Sequence, residues 1–172
     1  MRLSLLLLAA TSCSAGSTAR PVPIVLAQSC VTGKVFSVGT DFDPATILRL
    51  DDGEETLITG DREGEIRVLA GTTMTVCGKL ATDARAESAI EVESFELLTA
   101  DGMTAYLGTL QEVDGSWQIS REGNDSLVPL SGVPEQLREA EGSLVWVAGA
   151  WVDEVFSVRS FGILGGQSQF LE

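Results

Sequence analysis

The sequence predicts a mainly β protein made of two successive copies of one small five-stranded unit. Three observations carry this expectation. The chain repeats itself at long period, its apolar residues alternate with polar ones at every second position, and Gly-containing turn signals fall at matching places in both halves.

The first copy reads Gly33-Lys34-Val35, Ile47-Leu48-Arg49-Leu50, Thr56-Leu57-Ile58-Thr59-Gly60, Ile66-Arg67, Gly71, Met74-Thr75-Val76-Cys77-Gly78 and Val92-Glu93-Ser94-Phe95-Glu96-Leu97-Leu98. The second answers with Gly108-Thr109-Leu110, Trp117-Gln118-Ile119, Val128-Pro129-Leu130-Ser131-Gly132, Leu137-Arg138, Gly142, Val145-Trp146-Val147-Ala148-Gly149 and Val158-Arg159-Ser160-Phe161-Gly162-Ile163-Leu164. The displacement is about 65 to 75 residues, a whole small domain and longer than the roughly 20–50 residues of a solenoid unit.

The elements follow in order. Each copy opens with three strand-like runs, separated in the first by Asp52-Gly53 and in the second by Asp114-Gly115 and Gly123-Asn124-Asp125. A short helical turn comes next. Pro134-Glu135-Gln136-Leu137-Arg138-Glu139-Ala140 places good helix formers after a proline and stops before Gly142, and Asp61-Arg62-Glu63-Gly64-Glu65-Ile66-Arg67 is its weaker counterpart. The fourth strand alternates Met74, Val76, Gly78 and Leu80 with Thr73, Thr75, Cys77 and Lys79, and Val145, Val147, Gly149 and Trp151 repeat that inner face. A fifth strand closes each copy.

Three strands, a helix and two strands, with a Gly between helix and fourth strand (Leu137 to Val147, Ile66 to Val76), resembles the OB-fold, a five-stranded barrel whose helix lies between strands three and four. The expected fold is therefore mainly β, two tandem five-stranded OB-like barrels, each with one short helix. A related small barrel of SH3 type has similar strands but no helix in that place. The expected divisions are a signal peptide at 1–12, a tether at 13–29, barrel one at 30–98, barrel two at 105–164 and a tail at 165–172.

The resemblance implies a ligand face across strands two and three, framed by the loops joining strands one to two and four to five. The copies differ most there. Residues 37–46 and 81–90 of the first answer to little more than Asp114-Gly115 and Asp153-Glu154 in the second. Asp41, Phe42, Asp43 and Arg85 are therefore the candidate ligand-loop residues. In copy two the outer face of strand four is Leu144, Trp146, Ala148 and Ala150, where copy one has Thr73, Thr75, Cys77 and Lys79. An apolar outer face is normally covered, so Leu144, Trp146 and Ala148 are a candidate interface, expected against copy one.

Met1-Arg2, the leucine run to Leu8 and the small residues after it read as a secretory signal, too short to span a membrane. Ala10-Thr11-Ser12-Cys13 resembles the bacterial lipobox, with Ala10 where that family usually has Leu. The resemblance implies cleavage before Cys13 and lipidation of it, while cleavage after Val25-Leu26-Ala27 is the competing reading. Lipidation of Cys13 would leave Cys30 and Cys77. They map onto Ala105 and Ala148, so both are missing from copy two together, as expected of a disulfide. Two unlinked thiols are the alternative. In the OB order the strands carrying them are neighbours, which implies Cα atoms within roughly 7 Å.

With 11 Lys+Arg against 25 Asp+Glu, the charge of −14 opposes nucleic-acid binding, which depends on neutralising phosphates. The chain has no His, excluding Ser-His-Asp catalysis and every His-bearing zinc site, and it carries no P-loop, G-x-S-x-G or C-x-x-C motif. Asp41-Phe42-Asp43 begins like a calcium loop, but Ala45 and Thr46 stand where a ligand and the Gly belong. We therefore expect no enzyme, cofactor or metal, and a non-enzymatic, lipid-anchored cell-envelope protein that binds or scaffolds another envelope component. Its membrane contact would be the lipid alone, at the periplasm or cell surface. A soluble periplasmic binder of a small molecule, sugar or cation, using the barrel-one cleft, is the alternative, with a hydrolase third.

Overall fold

A computed structural model describes residues 28–121 and 126–166. The proposed signal, Cys13, most of the tether and the end of the tail lie outside the described residues. The first half contains β1 (Gln28–Thr40), β2 (Asp43–Arg49), β3 (Glu55–Thr59), α1 (Glu63–Arg67), β4 (Thr73–Asp83) and β5 (Ala86–Ala100). The second contains β6 (Met103–Val113), β7 (Ser116–Arg121), β8 (Leu127–Ser131), α2 (Glu135–Arg138), β9 (Ser143–Val152) and β10 (Val155–Gly166). The order of strands and helices is the one read from the sequence.

All ten strands belong to one mixed sheet. β1 pairs antiparallel with β2 and β4, β2 with β3, and β4 with β5, while β3 lies parallel to β5. Each strand of the first half thus has two hydrogen-bonded neighbours. The second half repeats the scheme through β6–β7, β6–β9, β7–β8, β9–β10 and the parallel β8–β10 pair. The halves join through a hairpin, Thr99 opposite Thr104 and Ala100 opposite Met103, turning at Asp101-Gly102. Thr99 and Ala100, beyond the expected end of barrel one, are thus the last residues of β5, and Gly165 and Gly166 belong to β10 and not to the tail.

Each half fills its interior with the same set of positions. Val35 faces Leu48 and Leu110 faces Ile119; Ile66 and Leu137 come from the helices; Met74 and Val76 on β4 answer to Val145 and Val147 on β9. Two clusters result, and all of these side chains are buried. The helices are too short to persist alone and are held by that single buried side chain and by the chain beyond. Gly71 donates its N–H to the carbonyl of Val35, and Gly142 does the same to Leu110. Both glycines have positive φ, 94° and 77°, a conformation that L side chains adopt only under strain.

The difference between copies is not one of loops. Both hairpins that were expected to carry long loops in copy one end in two-residue turns, at Asp41-Phe42 and Ala84-Arg85. Ser37 to Thr40 pair in register with Asp43 to Thr46, and Ala81 and Asp83 with Ala89 and Ala86. The extra residues satisfy their backbone groups by prolonging the ladders. Counted from the core pairs Val35/Leu110 and Val76/Val147, each hairpin's first arm is two residues longer in the first half, or about 7 Å.

Candidate functional site

The outer face of β1, β2 and β3 in the first half forms one side of an open groove of about 580 Å³. The period of a strand builds it. On β2, Thr46 and Leu48 point inward and are buried, so Ala45, Ile47 and Arg49 point outward. Register then sets Val38 opposite Ala45, and Ile47 between Phe36 and Leu57. Val38, Ala45, Ile47 and Leu57 make the apolar lining, and the β4–β5 hairpin adds Arg85, Ala86 and Glu87.

The charged rim is organised in pairs. Arg49 lies opposite Glu55 and donates from Nε and Nη2 to its Oε1 at 2.9 and 2.7 Å, while its guanidinium lies over the Phe36 ring at 4.5 Å from the centroid. Arg85 donates from Nε and Nη2 to the two carboxylate oxygens of Asp83, each at 3.0 Å, and its backbone N–H adds a bond of 2.8 Å. The side-chain hydrogen bonds from Arg85, and then the backbone one, hold the Asp83 carboxyl at about 2, below the usual carboxylate range. Asp83 in return raises the guanidinium of Arg85, with Asp43 and Glu63 adding to the field there. Behind the groove, the Thr46 hydroxyl donates to Glu63, tying β2 to α1.

Of the residues expected at the ligand loops, Arg85 lines the groove. Asp41 and Phe42 form the β1–β2 turn and Asp43 opens β2, so all three stand beyond the groove at the hairpin tip. Phe42 is fully exposed, at 100 %. The residues that the loop comparison missed are Ile47, Arg49, Glu55 and Leu57. Their signal was present, because a strand whose inward residues are Thr46 and Leu48 must present Ala45, Ile47 and Arg49 outside.

Cys30 and Cys77 form the expected disulfide, directly opposite each other on β1 and β4 with Cα atoms 4.1 Å apart. Cys30 is exposed and Cys77 half-buried. The candidate interface on β9 also has its cover. Ala148 and Ala105 are buried within the first half's cluster, and Trp146 packs against that cluster together with Met103, Leu107 and Leu164. Leu144 is half-buried. The Trp146 indole lies over Gly162, its register partner, where a Cβ would come within 2.2 Å of Nε1. An aromatic group that the sequence did not announce occupies the far end of the second half. There Trp151, 48 % exposed, donates to the Tyr106 hydroxyl at 3.0 Å, and both rings meet Phe156 edge-on.

Among the described residues no three His, Cys, Asp or Glu side chains are grouped so as to hold a metal ion, and no helix is long and apolar enough to cross a membrane. No protein-family model and no curated protein matches the chain.

Proposed function

We propose that each half is an OB-like five-stranded barrel and that the protein is a non-enzymatic, lipid-anchored cell-envelope component. It binds or scaffolds another envelope molecule through the outer face of its first barrel. The pairing scheme supports the fold, since two neighbours for every strand, with strands three and five parallel, is what closing five strands in OB order requires. The groove is the observation that carries the function. It lies on strands two and three and takes one wall from the strand four–five hairpin, and it belongs to the half whose hairpins are longer. Its volume is in the roughly 300–1,000 Å³ range of ligand clefts. The second barrel gives its own outer face to the first through Ala105, Trp146 and Ala148, which suits a supporting role.

Two variants test the two parts. Cys13→Ser should release the protein from membranes or block its processing, and a variant that matures to the wild-type size and stays membrane-bound would refute the anchor. Ala45→Arg fills the groove from an outward, half-buried position. Tagged protein recovered from detergent-solubilised envelopes should lose its co-purifying component on this change. Retention of that component would place binding elsewhere, and recovery of a small molecule in place of a protein would favour the soluble-binder reading.

A further inference from the structure

Which chemistry the groove accepts can be argued from the state of its charges. Both cations on its lining are already occupied, Arg49 by Glu55 at 2.7 Å and Arg85 by Asp83 at 3.0 Å. An anionic ligand would have to displace Asp83, held through both carboxylate oxygens, or the Glu55 oxygen that accepts two bonds from Arg49, to reach either. The acids are in excess. Glu87 lines the groove and Asp41 stands at the adjoining hairpin tip, and neither takes part in an ion pair among the described residues. Asp43 adds a third carboxylate beside that tip. Between these charges lies an apolar strip of Val38, 39 % exposed, and the half-buried Ala45 and Ile47, with Leu57 buried at its base and Phe42 projecting beyond it.

Resting on the reading that the first half carries the binding face, we propose that the groove docks a cationic, apolar segment of a partner protein in extended form. Alternate side chains of an extended chain point to opposite faces, so one set can cover the strip while Lys or Arg side chains reach Glu87 and the hairpin-tip aspartates. The exposed Phe42 supplies a further apolar contact at the end of the strip. Complementary charge sets the sign of the partner and its rate of encounter, and the strip supplies the apolar contact.

The probe is a capped alternating Val–Lys octapeptide, compared with a Val–Glu and a Ser–Lys octapeptide on the full chain carrying Cys13→Ser. Binding is followed by fluorescence anisotropy and by amide shift changes. The Val–Lys peptide should bind and shift amides of β2 and β3, weakening as salt rises from about 50 to about 300 mM, while the other two fail. Glu87→Lys should weaken it about fivefold, and Val38→Ser should weaken it without abolishing its salt dependence. Glu112→Lys makes the same charge change at an exposed position of β6 and should have little effect. Tighter binding of Val–Glu, or equal losses from Glu87→Lys and Glu112→Lys, would overturn the proposal, the latter marking diffuse attraction to an acidic protein. If Val–Lys misses the groove while Ala45→Arg still costs the native component, only the cationic assignment falls; if neither depends on the groove, the binding face itself is wrong.

Discussion

Ala105 and Ala148 stand directly opposite each other on β6 and β9, in the place held by the Cys30–Cys77 disulfide on β1 and β4. One position of the repeat thus carries two solutions, and the surroundings explain which half has which. In the first half the pair lies on an outer face open to solvent, where Cys30 is exposed. In the second it is buried under the first half, at 1 % and 0 % exposure, and packing replaces the cross-link.

Removing the disulfide by Cys30→Ala with Cys77→Ala should therefore lower stability by about 2–4 kcal/mol, the usual range for a closed loop of this size. Denaturant titration measures it. Installing cysteines at Ala105 and Ala148 should also destabilise, by about 1–3 kcal/mol, because two added sulfurs overpack a covered face.

Trp146→Ser should separate the melting of the two halves. The loss is about 2 kcal/mol for a partly buried large apolar side chain, and calorimetry should resolve two transitions where the wild type gives one. Gly162→Ala should do the same without touching the indole's chemistry, since its methyl would collide with the ring at 2.2 Å from Nε1. A single unchanged transition in both variants would mean that this face does not couple the halves.

The β9–β10 turn holds both Asp153 and Glu154 at positive φ, 48° and 69°, where the turns at residues 101–102 and 114–115 have Gly second. Glu154→Gly should relieve the left-handed strain and raise stability by about 0.5–1 kcal/mol after the added freedom of the unfolded glycine is counted. Thermal melting at fixed pH measures this.

The Asp83–Arg85 pair predicts a pH effect in a narrow acid window. Asp83 has a folded pKa lowered to about 2, so its contribution is complete above the unfolded carboxyl value of about 4 and is lost as pH falls through about 2. Arg85→Ala should return the Asp83 carboxyl to the ordinary range, which a carboxyl-carbon NMR titration reads directly. The pair is exposed, so the change should alter hairpin geometry more than global stability.

Much of this was legible in the chain. The repeat and the alternation of Met74, Val76 and Gly78 gave the strands and their inner faces, and the joint loss of Cys30 and Cys77 in the second copy gave the disulfide with its partner strand. Leu80 and Trp151, on the same alternation, lie past the end of the core and are exposed. The hairpins were misread because residues 37–46 and 81–90 are rich in Thr, Asp, Ala and Ser, which look like loop composition. Pairing Ser37–Thr40 with Asp43–Thr46 satisfies the same backbone groups as a ladder. The groove lining was missed for a related reason, since Ile47 and Leu57 look like core residues in one dimension. Only the register, which sets Leu57 opposite Ile47 and Ile47 opposite Phe36, puts them on one face, with Ile47 half-buried and Leu57 buried beneath it.

The proposed function places the binding face on the first half and not on the second. A photo-crosslinking residue at Ala45, on the groove, can be compared in living cells with one at Ser116, which begins β7 at the matching place of the second half. A discrete product from position 45 whose yield falls with Glu87→Lys, and none from 116, is the predicted result. Products of equal yield from both positions, or from 116 alone, would contradict it.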